Sequence, residues 1–116
     1  MQRNWDVIRE ILIKLEEKND LNSYLSADEI NGYDPRSVAF HMQLLNEAGL
    51  IRAVLTGISG GWKANSITWA GYELLDKIRQ DTVWNKVKAT AREKSIDLSI
   101  DAIGIIVNKI FSSMLG

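Results

Sequence analysis

Cysteine is absent, and proline and histidine occur once each. Each scarcity removes a class of chemistry. Without thiols there is no disulfide, no zinc ribbon and no thiol nucleophile, and the zero is compatible with a reducing cytoplasm. The lone His41 excludes His-paired nucleophiles and multi-histidine metal sites. Ser-Lys or carboxylate catalysis needs no histidine, but no convincing constellation for either is present. The acid pairs Glu16-Glu17 and Asp28-Glu29 are sequence neighbours, so on a helix they diverge by about 100° and form no converging dyad. Gly60-Gly61 lacks the Lys-Ser/Thr and the strand–helix setting of a phosphate loop. No apolar run reaches about 18 residues, and Met1-Gln2-Arg3-Asn4 leads straight into a charged amphipathic segment. The expectation is a soluble cytoplasmic protein without signal peptide or membrane span, not an enzyme, and with no metal or cofactor.

What is present is enough apolar material for one domain: 46% of 116 residues are hydrophobic. The net charge of −1 hides an asymmetry. Residues 1–49 carry five basic and nine acidic side chains, whereas residues 50–116 carry nine basic and six acidic ones. Phosphate neutralisation supplies most non-specific affinity for nucleic acid. An acidic N-terminal half therefore argues against tight, autonomous DNA binding by that half.

The chain is organised around Asp34 to Ile51. Pro35 suits the first helical turn, Asp34 before it is placed to cap, and Gly49 supplies the left-handed residue that ends a helix. Val38, Met42, Leu45 and Ala48, with His41 and Leu44 alongside, recur at the spacing of a buried stripe. Arg36, Phe40, Gln43 and Glu47 fall on the opposite face. At this inner edge His41 reads as a hydrogen-bonded core imidazole rather than a catalytic one. From Leu50 the period becomes that of a strand, and a helix running into a hairpin suggests a winged helix.

The run His41-x-x-x-Leu45-x-x-Ala48-Gly49-Leu50-Ile51 resembles the recognition helix and following strand of the arsenic-repressor type of winged helix-turn-helix regulators. Thr68-Trp69-x-Gly71, then Leu75-Asp76 and Trp84-x-Lys86, is similar to an uncharacterised domain family of phages and bacterial mobile elements. That family typically has Leu before the Thr-Trp pair and His after the Gly, where this chain has Ile67 and Tyr72. Together the two resemblances cover roughly Trp5 to Lys88, and they imply a fold without implying an activity.

Taken in order, Asn4 caps a first helix whose stripe is Trp5, Ile8, Ile11, Leu12 and Leu15, ending at Glu16-Glu17-Lys18. Trp5 opens that stripe, which favours a core or capping role over a partner contact. Asn19-Asp20-Leu21-Asn22 is turn chemistry, and Tyr24-Leu25 is where winged helices place a small strand. Ser26-Ala27-Asp28-Glu29 reads as a capping box opening a short second helix, which Asn31-Gly32 breaks before Pro35. Leu50–Gly57 and Ser66–Trp69 read as strands joined by a long tip, Ile58 to Asn65, in which Gly60-Gly61 supplies positive φ and Trp62 adjoins Lys63. That tip is either a groove-entering wing using Lys63 or a solvated turn with a half-buried Trp62.

From Ala70 a helix turns Leu74, Leu75 and Ile78 inward, and Asp81-Thr82 caps another with Trp84, Val87 and Ala91 on one side. Lys86, Lys88, Arg92 and Lys94 make its other side the densest positive cluster, either a solvated face or an aid to nucleic-acid binding. From about Leu98 to Leu115 apolar residues cover more than half a helix. Ile100, Ile103, Val107, Ile110 and Met114 suit one contact face, leaving Ile106, Phe111 and Leu115, beside Ala102, for a second copy or for the first helix of the same chain.

These readings converge on a mainly α fold with a small antiparallel β-hairpin: a winged helix-turn-helix over residues 1–80, extended by two C-terminal helices over residues 81–116 for packing or dimerisation. The expected role is a small regulator of double-stranded DNA, of phage or mobile-element type, acting as a homodimer. Arg36 and Ser37 would meet phosphate or base edges, Gln43 would pair with adenine, Phe40 lies on the same reading face, and Arg52 with Lys63 would hold the hairpin to the backbone. Ile106, Phe111 and Leu115 would carry dimerisation. The alternative is the same fold used as a protein-interaction module with a protein partner, which the acidic half, an exposed Phe40 and the apolar last helix favour.

Overall fold

A computed structural model describes residues 1–18, 20, 22–57 and 61–115. The chain is mainly helical with one small antiparallel sheet: α1 (Trp5–Glu17), β1 (Leu25–Ser26), a 3₁₀ turn (Ala27–Glu29), α2 (Pro35–Glu47), β2 (Ile51–Thr56), β3 (Gly61–Ile67), α3 (Trp69–Ile78), α4 (Asp81–Glu93) and α5 (Ile100–Leu115). It divides into two compact units, Met1–Glu73 and Leu74–Gly116, the division falling inside α3.

In the first unit the helix ends follow the local chemistry. Asn4 Oδ1 accepts from the backbone N–H groups of Asp6 at 2.9 Å and Val7 at 3.4 Å, capping α1. The apolar stripe of α1 is buried from Val7 to Leu15, while Trp5 stays half-buried with the Arg3 guanidinium 4.9 Å from its ring centroid. Asp34 caps α2 by accepting from the Arg36 N–H at 2.9 Å, with Pro35 in the first turn, and Gly49 adopts φ +75° just beyond the helix. Val38, Met42 and Leu45 are buried as the periodicity requires. Ala48 is exposed, because it is the C-cap and lies past the last turn that packs.

The capping box at Ser26 forms, with Glu29 Oε2 accepting the Ser26 N–H at 2.6 Å. It opens a single 3₁₀ turn, not an α-helix, since Asn31-Gly32 leaves no length for a second turn and Gly32 has φ +90°. Of the expected turn at 19–22, Asn19 and Leu21 lie outside the described residues, as do Ile58, Ser59 and Gly60 of the hairpin tip.

The sheet order is β1-β3-β2, both pairings antiparallel, so β3 is the central strand. It begins at Gly61 and not at Ser66, and it ends before Trp69, which belongs to α3. The run Lys63-Ala64-Asn65 reads as a turn, yet Lys63 and Ala64 pair on both edges and so lie in a strand, while Asn65 is the residue passed over at the register shift. A register shift between Arg52 and Ala53 breaks the ladder, and Asn46 Oδ1 accepts the Ala53 N–H there at 3.0 Å. Leu25, Ala64, Ile51 and Ile67 turn to the buried side, and α1 and α2 pack on the sheet.

In the second unit the buried apolar residues are Leu74, Leu75 and Ile78 of α3, Val83, Trp84, Val87 and Ala91 of α4, and Ile103, Ile106 and Val107 of α5. Helices α4 and α5 pack together. No helix among the described residues is long and apolar enough to cross a membrane.

Candidate nucleic-acid interface

Two motifs that stand far apart in the sequence meet at one corner. Thr68 Oγ1 donates to the Gly49 carbonyl at 2.6 Å and accepts the Gly71 N–H at 3.1 Å, while the Thr68 N–H donates to the Leu50 carbonyl at 3.1 Å. One threonine thus caps α3 and holds the exit of α2. Gly71 is obligatory beside it, because a Cβ there would stand 2.0 Å from the Leu50 carbonyl oxygen and 2.7 Å from Ile67 Cγ2. The Thr-Trp-x-Gly run is therefore a packing device that sets the direction of β2 relative to α2. Trp69 itself is 82% exposed, with half-exposed Tyr72 one turn on.

His41 is fully buried, and each ring nitrogen has a partner. Nδ1 lies 2.6 Å from the Ser37 carbonyl, and Nε2 lies 2.7 Å from the Asn4 backbone N–H. A carbonyl only accepts and an amide N–H only donates, so the ring is the tautomer with hydrogen on Nδ1. It joins the start of α1 to the middle of α2.

On the outward face of α2, Arg36 is exposed and bound to its own cap. Its Nη2 donates to Asp34 Oδ2 at 3.1 Å and its Nε to Asp34 Oδ1 at 3.5 Å. The hydrogen bond from Arg36 holds the Asp34 carboxyl below the usual carboxylate range, and the guanidinium is in turn held more firmly protonated. Gln43 is exposed and donates to Glu47 Oε1 at 3.3 Å. Phe40 is half-buried, not exposed, because its ring meets the His41 ring edge-on at 5.3 Å. Ser37 is half-buried one position round the helix, toward His41.

A cleft of about 480 Å³ opens between the start of α2 and β3. Arg36 and Pro35 line one side, and Trp62 and Lys63 the other. Asp28 of the 3₁₀ turn also lines it. Lys63 pairs with Val54 across the hairpin and Arg52 lies two residues along from Val54, so both cations belong to one face of the sheet. Arg52 is exposed and donates to Ser66 Oγ at 3.2 Å. The fold thus brings Arg36 and Lys63 to one cleft, while Arg52, on the same sheet face as Lys63, and Ser37 do not line it.

Of the residues expected to dimerise, Phe111 and Leu115 are exposed, at 42% and 88%. Ile106 is 4% exposed and turned inward beside Ile103 and Val107, so it is a core residue of the second unit. The inner face of α5 is centred on Ile106 and not on the Ile100 edge, and Ile100 is 40% exposed. Sequence reasoning missed the Asp34–Arg36 pairing. Its only signal is an acid two residues before an arginine across a proline.

A mainly helical chain with a three-stranded sheet in the order β1-β3-β2 is compatible with a winged-helix-like arrangement. The chain belongs to the family described as hypothetical protein (DUF2513), whose model matches residues 2–97. A relative from Haemophilus influenzae, itself an uncharacterized protein, is 47% identical over 117 residues, covering 99% of each chain. No solved structure matches.

Proposed function

We propose that residues 1–73 form a winged helix that binds double-stranded DNA, as a small regulator of phage or mobile-element type acting as a homodimer. The observation that carries this reading is the cleft in which Arg36 at the start of α2 and Lys63 on β3 come together, with Arg52 on the same sheet face. A helix laid in a major groove and a hairpin on the adjacent backbone use such a pair of cationic elements. Arg36 takes phosphate or a base edge, Gln43 reads adenine, and Lys63 and Arg52 hold the backbone. Phe111 and Leu115, on the open side of α5, join two copies.

Gel-shift titration at two salt concentrations tests this. Binding falls steeply with salt, Lys63→Ala weakens all sequences alike, and Gln43→Ala relaxes preference at one position. Absence of duplex binding at low salt overturns it. Phe111→Asp leaves the protein folded but monomeric by light scattering, and a monomeric wild type at high concentration overturns the dimer.

A second reading, a protein-interaction module, is favoured by one observation: Asp34 already engages Arg36, and Asp28 stands in the same cleft. Residues 1–73 carry seven basic and ten acidic side chains. The same titration separates the two, since the module binds no duplex at any salt concentration.

A further inference from the structure

We propose that the groove between α4 and α5 docks an acidic amphipathic helix of a different protein. The groove, of about 450 Å³, is an open furrow lying wholly within the second unit. One wall is Lys86 and Thr90 of α4 with its C-cap Lys94, and the other is the row Ile106, Ile110, Met114 of α5. Both recur every fourth residue, the spacing of side-chain ridges, and a third helix fills the groove between two such ridges with its own side chains. The apolar wall runs from buried Ile106 through half-buried Ile110 to Met114, which is 63% exposed.

Charge complementarity fixes the occupant. Lys86, Lys94 and Lys109 bring three cations to the lining against the single acid Glu93, and all three lysines are exposed. Among the described residues no ion pair engages their ammonium groups. A helix that places leucines on the apolar wall and carboxylates beside the lysines satisfies both walls at once. Nucleic acid satisfies one of them, because a sugar-phosphate backbone has nothing to bury against Ile110 and Met114. A second copy of the chain offers no fit either: α1 has the acidic pattern, with Asp6, Glu10, Glu16 and Glu17, but its apolar side is already buried in its own unit. The inference stands whether or not residues 1–73 bind DNA.

The test uses the full chain and a fluorescent peptide of about fifteen residues, with Leu at i, i+3, i+4 and i+7 spacing and Glu between. Two control peptides carry Leu→Ser and Glu→Gln. The expected result is saturable anisotropy with the parent peptide and clear weakening with each control. Amide shift changes in the protein fall in residues 86–94 and 106–114. The double variant Lys86→Glu/Lys109→Glu, changed only at exposed positions and checked by circular dichroism, lowers affinity about tenfold or more. Three outcomes overturn the proposal: no saturable binding, equal binding of the Glu→Gln control, or shift changes confined to the first unit. Duplex DNA shifting the same resonances assigns the lysines to phosphate and overturns it as well.

Discussion

In residues 1–73 single side chains fix the framework by hydrogen bonds: Thr68 and Asn46 hold the corner where α2 enters β2, and His41 ties the start of α1 to α2. In residues 74–116, α4 and α5 meet along rows of aliphatic side chains, and an aliphatic row tolerates exchange at similar volume. The two units also differ in sign: seven basic against ten acidic side chains in the first, seven against five in the second. The first unit therefore spends its polar groups on defining its own shape. The second leaves Lys86, Lys94 and Lys109 exposed along one groove, where they are available to a partner.

That contrast is most directly broken by glycine substitutions. Gly71→Ala forces a Cβ onto the Leu50 carbonyl and should destabilise the protein by about 3 kcal/mol or more in urea unfolding. At Gly104 in α5 a Cβ meets only Lys77 Nζ at 3.5 Å, an ordinary contact. Gly104→Ala should therefore be neutral or stabilise by up to about 1 kcal/mol through helix propensity. Equal losses at the two sites would remove the distinction.

His41→Leu comes next. It keeps the apolar volume but strands the Asn4 N–H, and should cost about 1–3 kcal/mol in thermal unfolding. Any loss of binding should follow that loss of fold. A binding defect at unchanged melting temperature would give His41 a role beyond structure.

Asp34→Asn keeps a good helix cap while releasing Arg36 from its carboxylate partner. If the first unit reads DNA, non-specific duplex affinity at low salt should rise severalfold in gel shift, with a steeper salt dependence. An unchanged affinity would show that Arg36 meets no phosphate.

The smallest effect belongs to Glu29, whose carboxyl is held below its ordinary value by the Ser26 N–H, against some desolvation and with help from Lys18 at 3.2 Å. A depressed carboxylate contributes stability above its unfolded value, and that contribution fades as pH falls through the lowered folded value. Glu29→Gln should therefore lower stability slightly near neutrality, where the carboxylate contributes, and the variant and parent curves should converge as pH falls, which flattens the acid limb. An unaltered acid limb would show that the cap adds nothing.

How much of this was legible in the sequence follows from how far each signal reaches. Asn4, Ser26, Asp34-Pro35 and Gly49 act on backbone groups within a few residues, so the ends of α1 and α2 and the turn at Ala27 could be read directly. The stripes of both helices followed from period alone. The extent of β3 did not, because Lys63-Ala64-Asn65 becomes a strand only when β1 and β2, nearly forty and about ten residues away in sequence, pair with it. Arg36 and Gln43 could be placed on one face of α2, whereas the cleft joining Arg36 to Lys63 depends on where the hairpin returns.

Periodicity gave α5 too many apolar positions for one face, and it could not say which arc turns inward. That choice was made by α4, which buries the Ile103–Ile106–Val107 arc and leaves Phe111 and Leu115 outside. By itself the sequence determined where α1 and α2 start and stop, the exclusion of thiol chemistry, and the opposite charge balance of the two halves, because each is a property of neighbouring residues or of composition. Only the tertiary structure decided that Thr68 and Gly71 close the corner at Leu50, that Arg36 and Lys63 line one cleft, and that three lysines border an apolar groove. Those relations join residues whose side chains meet only after the chain has packed.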